Sequence, residues 1–194
     1  MKNKLTLLLA ALLMAATATA QEKPKTEVLL IIDEQYFYFP GGKSELVNPI
    51  PAAQNTQKIL LRFRQEKKPV IFIKHKVESG GDIYELVKPV EDEKVITKTD
   101  VNSFKGTDLE RMLMELNAGK LVICGMQTQM CVEAAVRAAA DKGYDVTLIS
   151  DACATRNLEY NGVKVKAKLV QAETLATLKS YAKIMTTKEF LTGK

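Results

Sequence analysis

Residues Glu27 to Asp33 read Glu-Val-Leu-Leu-Ile-Ile-Asp, five apolar side chains in unbroken succession closed by an acid. A strand with one wet face alternates apolar and polar residues. An unbroken run instead suits a strand covered on both faces, as in a parallel sheet between layers of helix. Val70 to Ile73 repeats the pattern, and Lys94–Thr97, Leu121–Cys124, Val146–Ser150 and Ala182–Met185 read as further short strands. Helical spacing fills the intervals. Pro51–Lys68 carries Ile59, Leu60 and Phe63 and is stopped by Pro69. Thr107–Asn117 has a capping residue and Glu110 at the capping-box position. Gln129–Lys142 is alanine-rich and closed by Gly143, Val163–Ser180 is mostly helical, and Lys188–Leu191 forms a final turn. Strand and helix alternate throughout. The expected fold is α/β: three layers, doubly wound, with a mostly parallel sheet of about six strands and helices on both faces. Two stretches stand outside the alternation, the aromatic and Pro-Gly-Gly segment 36–49 and the irregular segment 74–93, and both read as loops.

The chain has 194 residues, 46% hydrophobic and 26% charged, which suits one domain with a full core. Its start is of another kind. Lys2 and Lys4 precede an apolar run from Leu5 to Ala16, and Ala18-Thr19-Ala20 fits a cleavage site. That order describes a secretory signal peptide, cleaved after Ala20. Residues 21–26 then form a polar leader and 27–194 the folded domain, located in the periplasm or outside the cell. Cleavage would leave 26 basic against 23 acidic residues, too weak and dispersed a balance to argue for nucleic acid. No membrane partner is expected after cleavage.

Strand ends are where a parallel sheet presents chemistry. Asp33 closes the first strand, Lys98 follows Val95-Ile96-Thr97, and Cys131 lies just past Leu121–Cys124 at a helix start. A thiol in a first helical turn faces unpaired N–H groups and the positive end of the dipole, which favour thiolate. A nearby ammonium would favour it further, and an acid could take the thiol proton and return it to a leaving group. Read singly, each residue has a plainer explanation: a small buried hydrophobe for Cys131, a turn cap for Asp33, a solvated surface residue for Lys98, a tight strand-to-helix turn for Gly125. His75 reads equally as a strand-end spacer or a base. Cys124 and Cys153 read as small residues at the edge of the core.

Four blocks together resemble the isochorismatase-like cysteine hydrolase family, which includes nicotinamidase-related amidohydrolases. They are Leu29–Gln35, Val95–Leu109, Cys124–Arg137, and Gly143–Val146 leading to Asp151–Ala154. The resemblance implies a catalytic triad of Asp33, Lys98 and Cys131. It also implies a cis peptide at Met126–Gln127 and an oxyanion hole from the N–H groups of Gln127 and Cys131. Gln35, Tyr36, Phe39, Phe104, Met126 and Thr128 become candidates for the substrate-binding wall. The implied reaction is hydrolysis of a small-molecule amide at its C–N bond through a Cys131 thioester, in a homo-oligomer, dimer or larger. No cofactor and no metal are expected, because the segment after Pro40-Gly41-Gly42 lacks the histidines of metal-dependent nicotinamidases and His75 alone cannot build such a site. Isochorismatases proper cleave a vinyl ether and characteristically lack the cysteine. A non-amide hydrolase of the same fold, or a binding protein on the same scaffold, are the alternatives.

Overall fold

The computed structural model describes residues 25–193; the expected signal peptide and most of the leader lie outside them. The apolar run becomes strand β1 (Thr26–Ile32). Its continuity has a visible cause. Val28, Leu30 and Ile32 enter one core cluster, while Leu29 and Ile31 enter another on the opposite face of the sheet. Every residue of the strand centre is buried, whichever way it points. Removing each such side chain from water stabilises the fold by about 1.5–3 kcal/mol.

The main sheet has six strands: β1, β2 (Val70–His75), β3 (Lys94–Lys98), β4 (Ala118–Met126), β5 (Asp145–Ala154) and β8 (Lys183–Met185). Their spatial order is β3-β2-β1-β4-β5-β8, and every pairing is parallel. The chain winds outward from β1 to β3, then returns to place β4 against the other edge of β1. That reversal is the point where doubly wound sheets open a crevice at their carboxyl ends. Helices α1 (Pro49–Gln65) and α5 (Thr187–Thr192) cover one face through Ile59, Leu60, Phe63 and Phe190. Helices α2 (Leu109–Glu115), α3 (Glu133–Asp141) and α4 (Ala167–Leu178) cover the other through Leu109, Leu113, Ala135, Val136, Ala139 and Leu178. Among the described residues no helix is long and apolar enough to cross a membrane.

Two boundaries differ from the sequence reading. Strand β5 continues through Asp151 to Ala154, beyond the expected end at Ser150. The helix expected from Val163 begins at Ala167, because β6 (Leu158–Tyr160) and β7 (Val163–Val165) form an antiparallel hairpin first. Its loop is Asn161-Gly162, both with positive φ (48° and 77°), the pattern of a tight two-residue hairpin turn.

Candidate active site

Parallel register assembles the site. Ile32 of β1 lies beside Ile73 of β2 and Gly125 of β4, and His75 of β2 lies beside Lys98 of β3. The ends of four strands therefore meet around one spot. Gly125 makes the approach possible: a Cβ built there would sit 2.0 Å from the Ile32 carbonyl oxygen, and its φ is +128°. Only glycine lets β4 pass this close to β1. After β4 the Met126–Gln127 peptide is cis, and the turn Thr128–Val132 carries Cys131 into a buried position ahead of α3.

The centre of the site is the Lys98 ammonium, on a side chain with 0% exposure. Its Nζ stands 2.8 Å from Asp33 Oδ2, 3.1 Å from His75 Nδ1, 3.1 Å from the Asp100 carbonyl oxygen and 3.3 Å from Cys131 Sγ. Asp33 is itself fully buried; neither carboxyl oxygen has an aligned hydrogen-bond donor, and Oδ2 meets the ammonium as an ion pair. It also holds a left-handed φ of 50°, which Asp tolerates better than most residues. Strict alternation along β1 would send Asp33 to the α1 side with Leu29 and Ile31. The turn at Asp33 breaks that alternation and brings its carboxyl to Lys98.

The electrostatics differ from the sequence expectation for Cys131. Burial first, and the Asp33 carboxylate second, push its thiol up to about 12, against the pull of Lys98. Burial likewise raises Asp33, with Lys98 opposing. A low-pKa thiolate at rest is thus not what the surroundings favour. Asp33 and Cys131 instead compete for one proton across the same ammonium, and they titrate as a coupled pair. His75 is pulled below its ordinary value, by burial and then by the Lys98 charge.

Asp33, His75 and Cys131 bring one donor atom each within 4.8 Å of one another, a set that could hold a metal ion. Lys98 Nζ already lies among those atoms, so the cation facing the carboxylate is the protein's own.

The other sequence candidates divide. Gln127 opens the turn: its carbonyl accepts from Met130 and Val132 N–H, and its Nε2 reaches the Tyr38 hydroxyl at 3.4 Å. Phe104 is buried in the same cluster as Cys131. Gln35 is spent on structure, donating to the His75 and Gly81 carbonyls and accepting from the His75 N–H. Thr128 bonds inward to the Ala154 carbonyl and Gln171. Phe39 stacks on Tyr84, and Met126 is wholly buried. Tyr36 is 41% exposed and lines a groove with Lys74, Glu85 and Val95 on the outer side of β2. Glu34 was not among the sequence candidates. Its one signal was a second acid directly after Asp33.

An isochorismatase domain model matches residues 27–189. The chain belongs to the isochorismatase family. The isochorismatase family protein YddQ of Bacillus subtilis is 42% identical over 178 residues, covering 86% of this chain and 99% of that protein. A streptothricin hydrolase of Streptomyces noursei is 28% identical over 158 residues, 75% of this chain and 60% of that one. A crystal structure of an isochorismatase-type hydrolase from Oleispira antarctica superposes with a TM-score of 0.85 at 37% identity, covering 88% of this chain and 98% of that one. The isochorismatase family is a family of hydrolases that act on small molecules, and this chain is a hydrolase of that family with the same parallel α/β architecture.

Proposed function

We propose that this isochorismatase-family hydrolase is a cysteine amidohydrolase, with Cys131 as nucleophile, Asp33 as proton carrier and Lys98 as the fixed cation between them. One observation carries the reading: a fully buried ammonium in contact with both a carboxylate at 2.8 Å and a thiol sulfur at 3.3 Å. A structural ion pair needs no thiol beside it. A nucleophile that must lose a proton inside the protein needs this grouping.

The chemistry runs in two halves. As Cys131 Sγ forms a bond to the amide carbonyl carbon, its proton passes to Asp33, whose raised pKa makes it a stronger base than an ordinary carboxylate. The oxyanion is held by the N–H groups of Gln127 and Cys131. Asp33 then gives the proton to the leaving nitrogen, the C–N bond breaks, and a thioester remains. Water attacks the thioester, losing a proton to Asp33. The C–S bond breaks, the acid leaves, and the proton returns to sulfur. Lys98 stays protonated throughout and balances whichever group carries the negative charge. Gln127, which reaches the Tyr38 hydroxyl, and Phe104, buried in one cluster with Cys131, are the proposed neighbours of the substrate. The Lys2 to Ala20 pattern supports export with cleavage after Ala20, and the family resemblance supports a homo-oligomer.

Incubation with a panel of small amides, read by release of ammonia or amine, tests the proposal. Wild type should turn over at least one member and yield an acyl adduct on the Cys131 peptide by mass spectrometry. Cys131→Ala should lose turnover by about 10³-fold or more while keeping its fold. Turnover that survives Cys131→Ala overturns the mechanism.

A further inference from the structure

Lys98 has three ammonium hydrogens and four acceptors within 3.3 Å. Two of the four are fixed claims. Asp33 Oδ2 is the nearest and carries charge: it meets the ammonium as an ion pair, and any turn of the ammonium into line with it takes a hydrogen from the other side-chain acceptors, while the Asp100 carbonyl belongs to the backbone two residues on. The third hydrogen is left between His75 Nδ1 and Cys131 Sγ, at 3.1 and 3.3 Å. A neutral thiol is a poor acceptor and an imidazole nitrogen a good one, whereas a thiolate outcompetes imidazole. The hydrogen should therefore rest on His75 while Cys131 is a thiol and swing to sulfur as the thiolate forms.

We propose that His75 is a positioning residue that competes with Cys131 for the third hydrogen of Lys98, and so sets how readily the thiol becomes an anion. Its meaning for turnover rests on the reading of Cys131 as nucleophile. The competition itself does not. The backbone of His75 is fixed by Gln35 at both its N–H and its carbonyl, so the ring is held at the place of contention. The role fixes the tautomer, with Nδ1 accepting and the proton on Nε2. His75 also lines an open groove of about 520 Å3.

Charge surrounds the ring on every side. Lys98 and Asp100 face it from β3 and the residues beyond, Asp33 from the end of β1, and Cys131 from the turn before α3. Lys74 and Lys76 flank it on its own segment, and Glu78 and Asp82 line the groove. Protonating His75 removes the acceptor and adds a cation, and both effects release the third hydrogen to sulfur. Coupling of this kind is reciprocal: ionising Cys131 takes the hydrogen from His75 and makes the ring easier to protonate.

His75 is the chain's one histidine. In untagged protein a single imidazole spin system in long-range proton–nitrogen NMR therefore reads the site directly. The expected result is an Nε2–H tautomer titrating below about 6.5, moving back toward the ordinary value in Lys98→Met. Iodoacetamide labelling, followed peptide by peptide, gives the other side. His75→Leu should alkylate at Cys131 several-fold faster than wild type at neutral pH. His75→Asn, whose Oδ1 keeps an acceptor near the Nδ1 position, should return the rate toward wild type. Superimposable Cys131 rates in wild type and His75→Leu overturn the inference, as does a His75 pKa that ignores Lys98→Met. A coupled His75 in a protein that hydrolyses no amide would sink the hydrolase mechanism and leave the inference standing. Amide turnover with an uncoupled His75 would do the reverse.

Discussion

Asp33 and Glu34 are neighbours in the chain, equally hidden from solvent and chemically almost alike, yet they sit in opposite surroundings. Asp33 faces an ammonium at 2.8 Å and a thiol beyond it. Glu34 turns to the α1 side, where its Oε1 accepts from the Thr56 hydroxyl and its Oε2 has no partner. Burial pushes Glu34 up to about 8, with Thr56 its one opposing influence. Burial raises Asp33 too, but Lys98 pulls against it. Desolvation alone makes a neutral acid. Desolvation beside a fixed cation makes a base that can hold a proton briefly and give it back. The contrast separates a carboxyl proposed to carry a proton from one that the fold merely accommodates.

Removing the cation should have the largest effect, because it turns the first carboxyl into the second. Lys98→Met should lose hydrolysis by about 10³-fold or more, and at pH 8 should cost about 3 kcal/mol of stability as Asp33 is left charged and alone. That penalty should shrink as pH falls and Asp33 takes a proton, which urea unfolding at several pH values would show. Asp33→Asn should uncouple two readouts that otherwise move together. Hydrolysis should fall by about 10²–10⁴-fold, since no base remains. Alkylation of Cys131 should become faster, since the carboxylate that raises its pKa is gone and Lys98 pairs with no other carboxylate among the described residues. If both rates fall, Asp33 acts by holding the site together rather than by carrying a proton.

Glu34→Gln should have the smallest effect on activity and an opposite one on stability. A pKa raised in the folded state means that the folded protein binds the proton more tightly. Glu34 thus contributes stability that is complete below about pH 4.5 and lost as pH rises to about 8. Gln copies the protonated acid and has no such slope. The variant should match wild type near pH 4.5 and exceed it by about 3 kcal/mol or more at pH 8.5. Equal stability at both pH values would mean that Glu34 is ionised in the folded state and has a partner after all.

Much of this was legible in the residues. The unbroken apolar runs announced a parallel sheet because two-sided burial leaves no position for a polar residue. That Asp33, Lys98 and Cys131 would come together was legible because strand ends are few and the family resemblance aligned all three. The fate of Gln35 and Thr128 was not, since a buried amide or hydroxyl reads the same whether it faces a ligand or a backbone carbonyl. The thiol's raised pKa was hidden because a helix-start position reveals nothing about burial or about the sign of the nearest charge. The hairpin over Leu158–Val165 did leave a signal, Asn161-Gly162 between alternating residues, but the helical spacing that follows overran it. The placing of His75 against Lys98 follows from a register that one strand's sequence does not encode.

The left-handed turn at Asp33 has a consequence for anyone wishing to transplant this site. A grafted strand with the same residues, continued in extended form, would follow its pleat and aim the aspartate away from the lysine. The position after it would face the lysine instead, and that position holds a longer acid set one residue further along the chain. Copying side chains and strand order would then yield a scaffold with every ingredient and the wrong acid in reach. One backbone dihedral angle of 50° has to travel with the motif.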